Sequence, residues 1–470
     1  MPAFSLEPSQ TARCAELRAL AEERLRPLAE KGEPGRVNRP LVAELGRLGL
    51  LERLFTSGAL DLCLMRESLA QACTEAETAL ALQGLGAHPV HAHGTPAQRE
   101  RWLPAVSEGS AVAAFALSEP GAGSDAAALG LRAEGEPVGR GAAEGSGAAR
   151  WERGRADSEA PGARAETQRS GSESAAPGSQ AGRESVWQGA EGAEGAQAGW
   201  ESVRRGAAGP SAGREPGSAA GAPARPVAVP DGASRWRLTG EKCWISNAPE
   251  ADFYTVFART TPGAGARGVT AFLVPADRPG LTGTALDMLS PHPIGALAFD
   301  AVPVSADDVL GEVDRGFRVA MGTLNLFRPS VGAFAVGMAQ AALEATLAHT
   351  ARRDAFGGKL RDLQSVAHTV AEMALRTDAA RLMVYAAATA YDEGAPDVPK
   401  RAAMAKLLAT ETAQYVVDTA VQLHGARALQ RGHLLEHLYR EVRAPRIYEG
   451  ASEVQRGIIA KELYADVELS

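Results

Sequence analysis

The sequence predicts an α+β multidomain protein: an N-terminal α-helical domain over 1–112, a middle β domain of barrel or sandwich type over 113–310, and a C-terminal α-helical bundle over 311–470. Three observations predict it. Apolar residues recur at three- and four-residue intervals up to about Ser110, short strand-like runs follow from Ala111, and long helical patterns return from Phe317 to the end. At 470 residues the chain is too long for one core, so a division into domains is expected.

The elements follow in order. TARCAELRALAEERLRPLAE and RPLVAELGRLGLLERL place apolar residues on one helical face. AVAAFALSEP, RWRLTGEKCWIS, DFYTVFART and GVTAFLVPA are short runs bounded by Gly, Pro or Asn, as strands are. GAFAVGMAQAALEATLAHTARRD, DLQSVAHTVAEMALRTDAARLMVYAAATAYDEG and KRAAMAKLLATETAQYVVDTAVQLHG carry stripes long enough for bundle helices. Between 135 and 235 the composition changes to Gly, Ala, Ser, Glu, Arg, Pro and Gln, with Trp151, Trp187 and Trp200 as the large apolar side chains. Such a segment cannot bury enough surface to offset its conformational entropy, so it reads as a low-complexity, disordered insertion at a surface hairpin.

Composition excludes several function classes. The net charge of -8 argues against a nucleic-acid binder working by counterion release. No apolar run approaches the ~18 residues that span a bilayer. The N-terminal MPAFSLEPSQTARCAEL has no basic region followed by an apolar core. Cys14, Cys63, Cys73 and Cys243 show no metal-ligand or redox spacing. A reduced, cytoplasmic protein without a metal site is the expectation.

Three stretches carry chemistry. FALSEPGAGSD, Phe115 to Asp125, joins a strand to a glycine-rich turn whose hydroxyls and N–H groups suit a phosphate or the polar edge of a heterocycle. An ordinary Gly-Ala-Gly loop fits that stretch equally. In GEKCWISNAPEAD, Trp244 is compatible with a buried strand aromatic. In RIYEGASEV, Glu449 sits between an aromatic and Gly450, and that glycine lets the backbone turn sharply or approach a ligand closely.

Taken together the stretches resemble the acyl-CoA dehydrogenase family. ALSEPGAGSD resembles its flavin-binding signature, WIS at 244–246 its W-I-T/S triplet, the stretch from Arg328 through RRDAFGG to Gln364 its R-x-x-F-G region with a downstream Gln, and IYEG its catalytic end. The matches come in family order and cover nearly the whole chain outside the insertion.

The resemblance implies an FAD-dependent enzyme that removes two hydrogens from an acyl-CoA thioester, giving the trans-2-enoyl-CoA. Glu449 would take the α-proton, its N–H would face the thioester oxygen, and flavin N5 would take the β-hydride. It assigns FAD to Phe115, Leu117, Ser118, Gly123, Ser124, Trp244, Ile245, Ser246, Arg353, Phe356, Gln364, Gln422, Leu423, Gly425, Ala451, Ser452 and Glu453, and substrate to Ser124, Asn325, Arg328 and Gly450. It further implies fatty acid β-oxidation, electron-transfer flavoprotein as acceptor, a homotetramer or else a dimer, and a C-terminal four-helix bundle. An acyl-CoA oxidase, or a repurposed flavin-binding relative without catalysis, is the alternative.

Some family members carry the base on a helix, just before the position of Arg328. That residue is Phe327 here, which cannot abstract a proton, so the base falls to Glu449. QLHGARAL keeps Gln422 and Gly425 but has Ala426 and Ala428 where the family shows glycines. Asn325 stands where an acidic residue is frequent.

Overall fold

The structure, a computed structural model, describes residues 6–135 and 235–468. The insertion expected over 135–235 therefore lies, apart from its two end residues, outside the described residues. Seven helices come first: α1 (Pro8–Leu20), α2 (Arg26–Ala29), α3 (Arg39–Arg47), α4 (Arg53–Thr56), α5 (Ala59–Ala72), α6 (Thr74–His93) and α7 (Pro96–Ser107). The starts of α3, α5 and α7 are capped by side chains. Asn38 accepts from the Leu41 N–H, and Thr95 and Gln98 close a capping box at α7. Asp392, from the far end of the chain, accepts the N–H groups of Ala59 and Leu60 and so caps α5.

Eight strands follow: β1 (Ala113–Ala116), β2 (Arg132–Gly135), β3 (Arg235–Ser246), β4 (Phe253–Arg259), β5 (Val269–Pro275), β6 (Leu281–Ala285), β7 (Ile294–Ser305) and β8 (Val309–Leu310). They form one mixed sheet in the order β6-β7-β3-β2-β4-β5-β8, with β1 parallel to β4. β2 and β3 pair antiparallel, with Gly135 opposite Trp236, so the two ends of the undescribed segment stand side by side. β4 and β5 are buried along nearly their whole length, as the continuous apolar runs in the sequence require.

The chain then returns to helix: α8 (Gly316–Arg352), the small hairpin β9 (Asp354–Ala355) and β10 (Gly358–Lys359), α9 (Gln364–Asp392), α10 (Val398–His424), α11 (Leu434–Glu441) and α12 (Ser452–Glu468). With 37 residues, α8 is long and apolar enough to cross a membrane by length and composition, but 72% of its most apolar window is buried inside the protein. It is the core helix of the fold. Helices from before and after the sheet share one apolar core, in which Leu45, Leu62, Met65 and Leu69 join Phe334, Met338, Val384 and Val416. The two sheet faces carry separate cores; one of them also takes in residues of α6, α7 and α8. At Gly86 a Cβ would stand 2.6 Å from the Ala114 N, so α6 lies backbone to backbone on β1.

Candidate functional site

Glu449 occupies a turn between the one-turn helix Ala444–Arg446 and α12. Its φ is +53°, a left-handed conformation that costs a non-glycine residue ~1–3 kcal/mol, and Gly450 follows at +96°. A Cβ on Gly450 would stand 2.5 Å from Gln455 Nε2, so glycine is needed there for space as well as for conformation.

Side chains from three helices hold this turn by its carbonyls. The Glu449 carbonyl accepts from Arg328 Nε at 3.2 Å and from Gln455 Nε2 at 3.1 Å. The Gly450 carbonyl accepts from Lys406 Nζ at 2.7 Å and Gln455 Nε2 at 2.9 Å. Arg328 Nη1 also donates to Asn325 Oδ1 at 3.4 Å, so two of the expected substrate residues are a linked pair beside the base.

What remains of Glu449 is unengaged. Its Oε2 is buried with no hydrogen-bond partner, and its N–H makes no hydrogen bond among the described residues. Burial pushes the carboxyl above its usual range, against the opposing pull of Arg66, Lys406 and Arg328. Burial likewise brings Lys406 down to about 8. One residue thus presents a buried, unpartnered carboxylate oxygen and a free N–H donor together.

The second half of the site lies on the sheet. Cys243 N donates to Ser118 O at 3.0 Å, and Lys242 Nζ reaches Leu117 O at 2.9 Å and Glu119 Oε1 at 2.7 Å. Glu119 in turn accepts from the Gly130 and Leu131 N–H groups. These bonds fasten the Phe115–Asp125 stretch to the strand that carries Trp244–Ser246, although the two lie far apart in the chain. Lys242 is fully buried, and desolvation brings it down to about 8 despite Glu119.

β3 breaks register between Lys242 and Ile245, and there Trp244 takes φ +56° and stands 49% exposed. Trp244 is thus not the buried strand aromatic its sequence context also allowed: the bulge turns the indole out of the sheet. Ile245 and Leu117 are buried, Phe115, Ser118 and Ser246 half-buried, and Gly123 and Ser124 exposed, with open space where a Cβ on Gly123 would project.

The remaining expected residues fall elsewhere. Arg353 ends α8, Phe356 (φ +55°, 90% exposed) tips the β9–β10 hairpin, and Gln364 opens α9. Gln422, Leu423 and Gly425 end α10, whose His424 stacks on His349 of α8 with ring centroids 4.2 Å apart. Among the described residues, no hydrogen bond links either group to Trp244 or Glu449. Ser452 is buried and donates to Glu411 Oε1 at 2.5 Å, while Ala451 is half-buried and Glu453 exposed.

Sequence reasoning missed Arg66, Lys406, Gln455 and the Lys242–Glu119 pair. The signal available was a lone lysine inside the apolar run AAMAKLLA. A cavity of about 100 Å³ is lined by Asn38, Glu75, Asn247 and His292 among others.

The acyl-CoA dehydrogenase N-terminal, middle and C-terminal domain models match residues 7–110, 212–302 and 314–464. A probable acyl-CoA dehydrogenase of Mycobacterium tuberculosis is 38% identical over 253 residues, covering 53% of this chain and 64% of that relative. Cyclohexane-1-carbonyl-CoA dehydrogenase of Geobacter metallireducens is 27% identical over 460 residues, 95% of each chain. The solved butyryl-CoA dehydrogenase of Megasphaera elsdenii superposes with a TM-score of 0.73 at 26% identity, over 98% of this chain and 99% of that one.

Proposed function

This chain belongs to the acyl-CoA dehydrogenase family, and from that premise we propose that it oxidises an acyl-CoA thioester to the trans-2-enoyl-CoA with Glu449 as base and FAD as cofactor. The observation that carries the reading is the pairing, on one residue, of a buried Oε2 without a partner and an N–H without a partner. An α-proton next to a thioester is weakly acidic, so its base must be desolvated and held within hydrogen-bond reach. As that proton leaves, charge gathers on the thioester oxygen, and a free N–H already in place stabilises it without reorganisation. Arg328, Gln455 and Lys406 fix the turn through its carbonyls, so both groups keep one orientation.

The residues present fit FAD. The exposed Trp244 offers a flat apolar face, the open Gly121–Ser124 turn leaves room for backbone approach, and the exposed Phe356 and Arg353 offer a second contact surface. When bound, FAD supplies the hydride acceptor. Beyond this, the reading takes electron-transfer flavoprotein as the electron acceptor, β-oxidation as the pathway, the cytoplasm as the setting and a homotetramer as the assembly.

Anaerobic titration of the purified yellow protein with acyl-CoAs tests the reaction. Bleaching of the flavin band is expected for the wild type. Glu449→Gln should slow it by about a thousandfold or more while leaving thermal stability intact, because the amide fills the same volume without a buried charge. A yellow protein that no acyl-CoA bleaches would refute the reaction.

A further inference from the structure

Three buried cations act on Glu449, and two of them hold its own turn. The third, Arg66, serves another arrangement. It comes from α5, is 3% exposed, and its Nε donates to Glu77 of α6, which is fully buried. Its Nη1 donates to Ser330 Oγ of α8 at 2.6 Å, and that hydroxyl donates to Phe327 O. Its Nη2 makes no hydrogen bond among the described residues. Of the cations that hold the Glu449 carboxylate down against burial, Arg66 acts most strongly.

Thr78 Oγ1 also donates to Glu77 Oε2 at 3.3 Å, and the charge of His292 acts on the same carboxylate; apolar groups pack around the pair. The Arg66 guanidinium lies 6.0 Å from the Phe334 ring centroid, Leu80 belongs to the same core, and the Phe327 ring fills the space left by Gly84. A buried ion pair in such a place adds little to stability, since apolar residues of similar volume do as well or better. Its site next to the base asks for another reason. A reacting acyl group must lay its α-carbon against Glu449 Oε2, and Trp244, Gly123 and Ser124 are exposed. Carbons beyond the reacting pair that extend inward from Glu449 would meet α5, α6 and α8, where Arg66, Glu77 and Ser330 stand.

We propose that the Arg66–Glu77 pair, with Ser330, forms a polar end wall of the acyl pocket, and that this enzyme prefers a short acyl group carrying a hydroxyl or oxo oxygen beyond the β-carbon. The inference rests on the dehydrogenase reading above. A long alkyl tail would meet the ion pair and strip its hydration without replacing it. A neutral oxygen acceptor meets the spare Arg66 donor instead, and a site built to hydrogen-bond such a group rejects the analogue that lacks it. A carboxylate tail would compete with Glu77, which already accepts from Arg66 Nε.

The flavin-loaded enzyme is titrated anaerobically with 5-hydroxyhexanoyl-CoA and 5-oxohexanoyl-CoA against hexanoyl-CoA and octanoyl-CoA, with calorimetry on the matching thioethers as a readout free of turnover. The oxygenated acyl groups are expected to bleach the flavin and to bind at least about tenfold better. In the Arg66→Met, Glu77→Met double variant the ranking should reverse toward octanoyl-CoA. Equal or better use of octanoyl-CoA by the wild type overturns the inference while leaving the dehydrogenase reading in place, and the wild-type ranking needs no variant to fold. An unchanged ranking in the double variant also overturns it. Bleaching by no thioester overturns both readings.

Discussion

Lys406 is a fully buried ammonium whose one hydrogen bond among the described residues runs to the Gly450 carbonyl, and its charge opposes the burial of Glu449. The sign of its effect follows. Burial raises the Glu449 carboxyl, so the base is lost as pH falls through a value above the usual carboxylate range. Removing a cation raises it further. Stopped-flow flavin bleaching in Lys406→Met should therefore show its acidic limb displaced to higher pH and a lower rate at pH 7; a limb that stays in place would exclude the electrostatic role. Much of this residue-level picture was legible in the sequence, since Glu449, Gly450 and Arg328 stand in recognisable motifs. The donors that grip their carbonyls were not, because Lys406 and Gln455 sit in helical patterns where a polar residue ordinarily faces water. Only the tertiary packing turns them inward.

At the scale of elements, the site depends on one strand being tied to one distant loop. The Lys242–Glu119 pair does this, with Glu119 also accepting two loop N–H groups. Glu119→Ala would leave Lys242 buried without a carboxylate, at a cost of ~3–5 kcal/mol. Calorimetry should show a lowered Tm, and the purified protein should keep less flavin per chain, since the Gly121–Ser124 turn loses its anchor. The strands themselves were readable: RWRLTGEKCWIS is β3 to the residue, and DFYTVFART contains β4. The register break that turns Trp244 outward was not readable, because a bulge is a matter of pairing between strands and leaves no mark on the alternation of one strand. α8 likewise runs further than its pattern suggested, through Pro329, because packing on both sides outweighs the proline.

For the whole molecule, the sheet closes across the segment 136–234 as if that segment were a hairpin turn. Gly135 faces Trp236, and the pair before it, Glu134 and Arg237, keeps the same register. Replacing 136–235 by Asn-Gly, which leaves two residues between the paired Gly135 and Trp236, should leave the Tm and the acyl-CoA titration of the protein unchanged; a shortened chain that no longer binds flavin would show that the segment belongs to the site. The order of helical, β and helical parts was legible from periodicity. That the two helical parts fuse into a single core was not, because no local pattern records which distant helix fills a given face. The pairing of β2 with β3 also bears on how the protein reaches this state. A hairpin is ordinarily among the first contacts a chain can make, since its strands are neighbours in sequence. Here the strands meet only after a very long connection closes, which adds ~3–4 kcal/mol to the entropy of that step compared with a two-residue turn. The start of folding in the sheet then passes to β4 and β5, which pair through a short connection. β3 joins late, and the Trp244 bulge, with the flavin surface it builds, is among the last parts of the molecule to form.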